Sequence, residues 1–132
     1  EEKREISFEE NYNASAIICS RRTGSMGSLK INQEIESLLE GRGLKEPGND
    51  FYHGRPVIIT ENDYRLGLFN GDTGFCLEDK ASGNFFVKFD GLENKVAQMQ
   101  LPSHESAFAI TAHKSQGSEF NNVFFCLGFN RC

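Results

Sequence analysis

Residues 14–28 read Ala14-Ser15-Ala16-Ile17-Ile18-Cys19-Ser20-Arg21-Arg22-Thr23-Gly24-Ser25-Met26-Gly27-Ser28. The apolar run 14–19 is typical of a buried strand, and the polar residues after it, punctuated by glycine, indicate a loop. Beyond the loop, apolar residues recur near helical spacing until the glycines at 41 and 43: Leu29, Ile31, Ile35, Leu38 and Leu39. A strand, a glycine-containing loop and a helix in this order predict an α/β fold.

The middle of the chain has a different pattern, with short β-prone segments about ten residues apart that are separated by turn residues. These segments begin at Pro56, Gly67, Gly74, Asn84 and Lys95. They predict a small barrel or meander. The apolar runs 107–112 and 122–127 then flank a polar loop, so the α/β pattern resumes. We therefore expect an α/β domain at residues 1–50 and 101–132, interrupted by a β-barrel at residues 51–100.

Length and composition limit what this chain can do. Its 132 residues allow one ordinary domain or two small ones, and a hydrophobic content of 38% can form a real core. A formal charge of −5 argues against a generally basic nucleic-acid surface and permits only a local positive face. One such face is indicated between Asn11 and Gln33, where Arg21, Arg22 and Lys30 occur without any acid.

Targeting signals and metal motifs are not evident in the sequence. Its uncharged apolar runs are much shorter than the roughly 20 residues that span a bilayer, and its acidic N-terminus differs from a signal peptide. We expect a cytoplasmic protein with no membrane contact. The cysteines at 19, 76, 126 and 132 have no CxxC spacing, which favours buried thiols and no metal site.

Several catalytic signatures are also missing. The sequence contains no GxxxxGK[ST] phosphate loop, no GxSxG elbow and no GxGxxG fingerprint. Its three histidines, His53, His104 and His113, lie far apart, and none is paired with a nucleophile at an identifiable spacing. A free-standing small hydrolase is therefore disfavoured.

Two polar loops that follow buried strands could bind phosphate. In the stretch 109–120, backbone amides, the Ser115 and Ser118 hydroxyls and the His113 and Lys114 cations suit phosphate oxygens. The Glu119 carboxylate could accept hydrogen bonds from sugar hydroxyls. A polar loop that merely caps a helix remains the alternative. At the other loop, Arg21 or Arg22 could meet a phosphate bidentately, and an exposed arginine pair without function is the alternative.

The stretch Thr111-Ala112-His113-Lys114-Ser115-Gln116-Gly117-Ser118-Glu119-Phe120 resembles motif V of RecD-type superfamily 1 DNA helicases, the alpha subunit of exodeoxyribonuclease V. Residues 17–24, with Gly27, Asn32 and Ile35, are similar to the motif IV region of that family. Residues 53–59 and 62–74 resemble its barrel insertion, and residues 101–105 resemble the lead-in to motif V. The resemblance runs in order over roughly residues 14–127. Ser25 stands where the family often has proline.

The resemblance implies a fold and a set of roles. This chain would be a partial RecA-like second motor domain, of the P-loop NTPase type, with an inserted small SH3-like β-barrel. Arg22, or Arg21 beside it, would stabilise charge on the γ-phosphate. Nucleotide-binding residues would be Gln116, Gly117 and Glu119; DNA-binding residues would be Thr111, His113, Lys114 and Ser115; and Asn70, Gly71 and Asp72 would form a structural turn.

The resemblance also implies partners and cofactors. The parent protein would couple ATP hydrolysis to movement on single-stranded DNA in recombination and repair. RecB-like and RecC-like subunits would be its candidate partners. ATP and Mg²⁺ would be bound mainly by the first motor domain, so this chain alone is expected not to hydrolyse ATP. The alternative, from another functional class, is a non-enzymatic module whose β-barrel binds a protein.

Overall fold

A computed structural model describes residues 15–115 and 122–126 of the chain. The chain divides into two compact units. Residues Ile35–Ala107 form the second unit, and the described residues before and after them form the first. Gln116, Gly117 and Glu119, which carry the predicted nucleotide contacts, lie outside the described residues.

The first unit contains a three-stranded parallel sheet in the order β7-β1-β8. Its strands are β1 (Ser15–Cys19), β7 (Ala109–Thr111) and β8 (Asn122–Cys126). The strands predicted from the apolar runs are confirmed, but the expected burial of the last one is wrong: Val123, Phe124 and Phe125 of β8 are exposed. Ile18, Cys19 and Ile110 are buried, as expected for a central strand and its neighbour in a parallel sheet.

A single helix, α1 (Ser28–Gly41), follows β1 and confirms the predicted helix. It ends as the glycine pattern indicated. Gly43 has a φ of +76°, in the left-handed region that favours glycine. The amide of Leu44 then donates to the carbonyl of Leu39 at 2.9 Å, and that of Gly43 donates to Glu40 at 3.1 Å, which satisfies carbonyls at the helix end.

The second unit contains an antiparallel five-stranded sheet in the order β5-β4-β3-β2-β6. The strands are β2 (Pro56–Ile59), β3 (Thr73–Glu78), β4 (Phe85–Phe89), β5 (Val96–Ala97) and β6 (His104–Ser106). Alternate side chains from one face of this sheet form the core together with Leu68, which lies outside the strands. The core consists of Val57, Ile59, Leu68, Cys76, Val87, Phe89 and Val96.

Some details of the predicted barrel differ from the structure. Within the described residues, β5 and β6 are the two ends of the sheet and are not paired, so a closed barrel is not observed. The expected strand at 67–69 is wrong, because Leu68 forms only an isolated bridge with Asp63. The expected strand at 95–99 is shortened to β5, after which Gln98–Gln100 form a 3-10 helix. The polar strand β6 was not predicted at all.

None of the helices in the described segments combines the length and the apolar character needed to cross a membrane.

Candidate functional site

The carboxyl ends of the three parallel strands lie at one edge of the first unit's sheet. Cys19, the last residue of β1, is in register with Thr111, the last residue of β7, and with Cys126, the last residue of β8. The segments that follow β1 and β7 therefore leave the sheet side by side. The amide of Ala112 ties them together by donating to the carbonyl of Cys19 at 2.9 Å. Parallel α/β sheets bind ligands just beyond this kind of edge. We call it the carboxyl edge.

The segment after β1, residues 20–27, is named the arginine loop here. It folds back over the start of α1: the amides of Ser28 and Leu29 donate to the carbonyls of Arg21 and Arg22, each at 3.1 Å. Those two helix-terminal amides are thus satisfied by the loop backbone itself. The backbone of both arginines is consequently fixed against the helix start.

The two arginine side chains are exposed. Arg21 lies against its own loop, with its Nε 3.7 Å from the position that a Cβ on Gly24 would occupy. A guanidinium held on a fixed backbone at this edge can bind a phosphate through two parallel hydrogen bonds.

Gly27 lets the arginine loop close tightly. A Cβ at this position would lie 2.4 Å from the carbonyl oxygen of Thr23 and 2.5 Å from that of Arg22. Both neighbours are backbone atoms that cannot rotate away. The loop therefore requires glycine at position 27 for steric reasons. This explains why Gly27 belongs to the motif IV pattern described above.

The segment after β7, residues 112–115, forms one helical turn that we call the β7 turn. The amide of Ser115 donates to the carbonyls of Thr111 at 3.0 Å and Ala112 at 3.2 Å. The Thr111 hydroxyl oxygen accepts the amide of Lys114 at 3.2 Å, and the Ser115 hydroxyl donates to the carbonyl of Ala112 at 2.8 Å. His113 is exposed. Four residues with predicted DNA contacts are thus brought together with the arginine loop at the carboxyl edge.

Asn32 anchors the strand that leads into this turn. Its side-chain amide donates to the carbonyl of Ala109 at 2.9 Å, and its carbonyl oxygen accepts the amide of Ala109 at 2.8 Å. The pair is buried, so both backbone groups of Ala109 depend on this side chain for their partners. The sequence reasoning included Asn32 in the family pattern but assigned it no role.

The predicted structural turn lies in the second unit. The Asp72 carboxylate accepts the amide of Phe69 at 2.8 Å, and the amide of Asn70 donates to the side-chain oxygen of Asn62 at 2.7 Å. Gly71 stands between Asn70 and Asp72. Hydrogen bonds of this kind stabilise a turn locally, which supports a structural role for these residues.

The second unit also contains a polar cluster that was not predicted from the sequence. The Ser106 hydroxyl donates to Glu36 Oε2 at 2.6 Å and accepts Arg55 Nε at 2.8 Å. The Tyr52 hydroxyl donates to the same carboxylate oxygen at 2.7 Å. Nη1 of Arg55 is buried and has no hydrogen-bond partner among the described residues. We call Glu36, Tyr52, Arg55 and Ser106 the Glu36 cluster.

Burial shifts the pKa values of two groups in and beside this cluster. Desolvation, followed by the hydrogen bond to Glu36, raises the pKa of Tyr52 well above its ordinary value. Desolvation also raises the pKa of the Cys76 thiol to about 11, although the nearby Arg55 opposes the shift. Both groups therefore remain protonated at neutral pH. They fit a structural core better than a reactive site.

The carboxyl edge fits the phosphates of a nucleotide better than it fits a metal ion. Exposed guanidinium groups at the arginine loop are suitable partners for a terminal phosphate. Groups of three or more His, Cys, Asp or Glu side chains placed to hold a metal do not occur in residues 15–115 and 122–126.

Comparison with known proteins identifies a consistent set of relatives, although no family model matches the chain. The chain is 39% identical over 118 residues to the RecBCD enzyme subunit RecD of Haemophilus influenzae, covering 88% of this chain and 17% of that protein. It is 34% identical over 107 residues to RecD of Mycobacterium tuberculosis, covering 81% of this chain and 19% of that protein. It is 32% identical over 114 residues to the ATP-dependent RecD2 DNA helicase of Deinococcus radiodurans, covering 83% of this chain and 16% of that protein.

A solved structure supports the fold. The structure of Bacteroides Pif1 bound to single-stranded DNA matches with a TM-score of 0.53 and 18% identity, covering 86% of this chain and 34% of that one. Pif1 is a superfamily 1 helicase, so the α/β, RecA-like part of the predicted fold is confirmed. The sequence matches confirm the predicted resemblance as well: this is a RecD-like chain that spans about a fifth of the length of the curated relatives it matches.

Proposed function

We propose that this chain is part of an ATP-dependent DNA helicase of the RecD type, which couples ATP hydrolysis to translocation on single-stranded DNA in recombination and repair. The relatives named above support this reading. The carboxyl edge gives it a physical basis, because two loops suited to phosphate leave the sheet side by side there. The non-enzymatic interaction module is not favoured by these relatives.

A single observation carries the proposal, namely the register of Cys19 with Thr111. It aligns the ends of β1 and β7, so that the arginine loop and the β7 turn begin at the same edge. A change in the phosphate contact of one loop can then alter the position of the other over a short distance. Such a coupling would convert nucleotide hydrolysis into a changed grip on DNA.

On the DNA side, we assign backbone contacts to Thr111, His113, Lys114 and Ser115. The hydroxyl of Thr111 accepts the Lys114 amide and so retains its own hydrogen for a phosphate oxygen. Ser115 donates its hydrogen to Ala112, so its main contribution is to hold the turn. The exposed His113 ring and the Lys114 ammonium supply further donors.

On the nucleotide side, we assign the γ-phosphate contact to Arg22, with Arg21 as the second candidate. Gln116, Gly117 and Glu119 would contact the phosphate and sugar. ATP supplies the hydrolysable phosphate when bound, and other parts of such a protein would hold most of the nucleotide and its Mg²⁺.

The larger assignments follow from the same proposal. Residues 1–50 and 101–132 would be part of the second RecA-like motor domain, and residues 51–100 the counterpart of its SH3-like insertion in an open form. RecB-like and RecC-like subunits are the candidate protein partners, and the cytoplasm is the proposed location. Alone, the chain should hydrolyse ATP no faster than a blank. DNA-stimulated phosphate release by the purified chain would contradict this last assignment.

Binding of single-stranded DNA tests the proposal directly. We expect the full chain to bind a fluorescent oligothymidylate weakly, with an affinity that falls as salt rises, because phosphate contacts release counterions. His113→Ala and Lys114→Gln should each lower the affinity by about threefold or more, and Lys114→Gln should also reduce the salt dependence. Arg42→Gln, at an exposed position directly after α1, is the matched control. Binding that is insensitive to both β7-turn variants would refute the DNA assignment.

A further inference from the structure

We propose that the outer face of β4 is a second contact surface for single-stranded DNA, formed by Phe86, Lys88 and Lys95. We call these three residues the lysine patch. The proposal rests on the proposed function and extends DNA binding to a surface of the second unit. It is tested separately from the carboxyl edge.

The strand pairing places the three side chains on one face. Along β4, Val87 and Phe89 point into the core, so Phe86 and Lys88 point to the opposite face. Phe86 pairs with Ala97 and Val87 pairs with Val96 on β5. Lys95, next to Val96, therefore falls on the same outer face as Phe86 and beside Lys88.

This face carries a contact between a lysine and an aromatic ring. The Lys95 Nζ lies 4.3 Å from the centre of the Phe86 ring, and the ring is only half-buried. Placing two lysines next to each other on neighbouring strands is unfavourable in itself. Among the described residues, the Lys95 ammonium forms a cation–π contact with Phe86 and no ion pair with a carboxylate.

A half-exposed ring under one ammonium group, with a second lysine on the same strand face, matches the chemistry of a single nucleic-acid strand. Bases stack on aromatic rings, and lysines pair with the phosphates between them. The exposed cation–π contact is weak, and the flexible lysine stem lets the ammonium move to a phosphate while a base takes its place over the ring. An acidic peptide would use the ammonium groups but would leave the ring without a stacking partner.

Three variants of the full chain test the lysine patch through binding of a labelled oligothymidylate. Phe86→Leu retains apolar volume but removes the flat ring, and we expect affinity to fall about fivefold with an unchanged salt dependence. Lys95→Gln should lower affinity about threefold and reduce the salt dependence. Lys80→Gln removes the same charge from the exposed turn between β3 and β4 and should leave affinity unchanged. Circular dichroism checks that each variant is folded.

A second measurement keeps the proposal falsifiable if Phe86→Leu fails to fold. An oligonucleotide carrying 5-iodouracil should photo-crosslink to the wild-type peptide that contains Phe86, as located by mass spectrometry. Absence of that crosslink, unchanged affinity in folded Phe86→Leu, or an equal loss in Lys80→Gln would overturn the proposal. Competition by polyglutamate as effective as that by DNA would assign the patch to an acidic protein instead. Loss of binding in the β7-turn variants alone would leave the proposed function intact and remove only the lysine patch.

Discussion

Gly27 shows how one residue positions the arginine loop. Its missing side chain allows the carbonyls of Arg22 and Thr23 to lie where a Cβ would otherwise be. The same closure directs the carbonyls of both arginines onto the first amides of α1. The placement of the guanidinium groups at the carboxyl edge therefore depends on a residue that has no chemistry of its own.

Substitution of Gly27 should accordingly disturb the loop. We expect Gly27→Ala to lower the free energy of unfolding by about 1–3 kcal/mol, the usual range for overpacking a tight site, as measured by urea denaturation. Gly41→Ala is the matched control, because a Cβ at Gly41 would meet nothing within 4 Å. Equal stability of the two variants would show that the arginine loop is not closed in the way described.

The buried thiol of Cys76 makes stability depend on alkaline pH. Its pKa rises from 9.0 to about 11 in the folded state, so between these values the folded chain holds more protons than the unfolded chain. Stability should therefore fall as pH rises from 9 towards 11, by up to about 2 kcal/mol from this group. Denaturant titrations across this range should show a shallower decline for Cys76→Ala than for the wild type. Parallel declines in the two proteins would contradict the assignment.

Residues whose role rests on apolar patterning were predictable from sequence, and buried polar residues were not. Ile18 and Ile110 fall in apolar runs, so their burial in strands was expected. Glu36 and Arg55 are charged, and composition alone favours exposure for such residues. Arg55 is nonetheless buried and Glu36 is only partly exposed. Both bind Ser106, which is distant in the sequence, so no local pattern could have shown this cluster.

At the level of elements, the Glu36 cluster joins α1 to the start of β2 and the end of β6. Glu36 belongs to α1, Arg55 directly precedes β2, and Ser106 is the last residue of β6. Removing one charge from this cluster leaves the buried Arg55 guanidinium with weaker compensation. The cluster thus links these three elements through polar contacts.

Glu36→Gln tests the contribution of this cluster to stability, because the side chain keeps nearly the same shape and loses its charge. We expect a loss of about 2 kcal/mol in the free energy of unfolding, because Arg55 stays buried while its carboxylate partner is removed. Glu34→Gln changes the same charge at an exposed position of the same helix and should stay within about 0.5 kcal/mol of the wild type. Thermal and urea unfolding of both variants measure the difference. A similar small effect in each would mean that the cluster contributes no stability.

The elements also show where sequence patterns stop being informative. Alternating or continuous apolar runs predicted β2, β3 and β4, because their side chains enter the core. The segment His104-Glu105-Ser106 is polar, and it forms β6 by pairing its backbone with β2. Backbone pairing leaves no apolar signature at the edge of a sheet. Whether β5 and β6 meet to close a barrel depends on curvature that the local sequence does not encode.

At the scale of the whole molecule, the sequence predicted an α/β pattern interrupted by β-prone segments, which the structure has, although β6 was missed and the strand expected at 67–69 is not formed. The carboxyl edge follows from that order, since parallel strands align their ends. Its ligands could not be derived from geometry alone: the motif V resemblance supplied the expectation of DNA and nucleotide, and the RecD relatives agree with it. The hydrogen bonds of the β7 turn and the arginine loop explain how the residues proposed to bind these ligands are held at the carboxyl edge.

The central claim is that the arginine loop and the β7 turn form one phosphate-binding edge. Titration of isotope-labelled chain with oligothymidylate, followed by amide NMR, tests it most directly. We predict that the amides of residues 112–115 shift most, that those of Arg22 and Thr23 shift with the same apparent affinity, and that those of the turn 79–83 do not move. Shifts that leave both segments of the carboxyl edge unchanged while the oligonucleotide binds elsewhere would contradict the account.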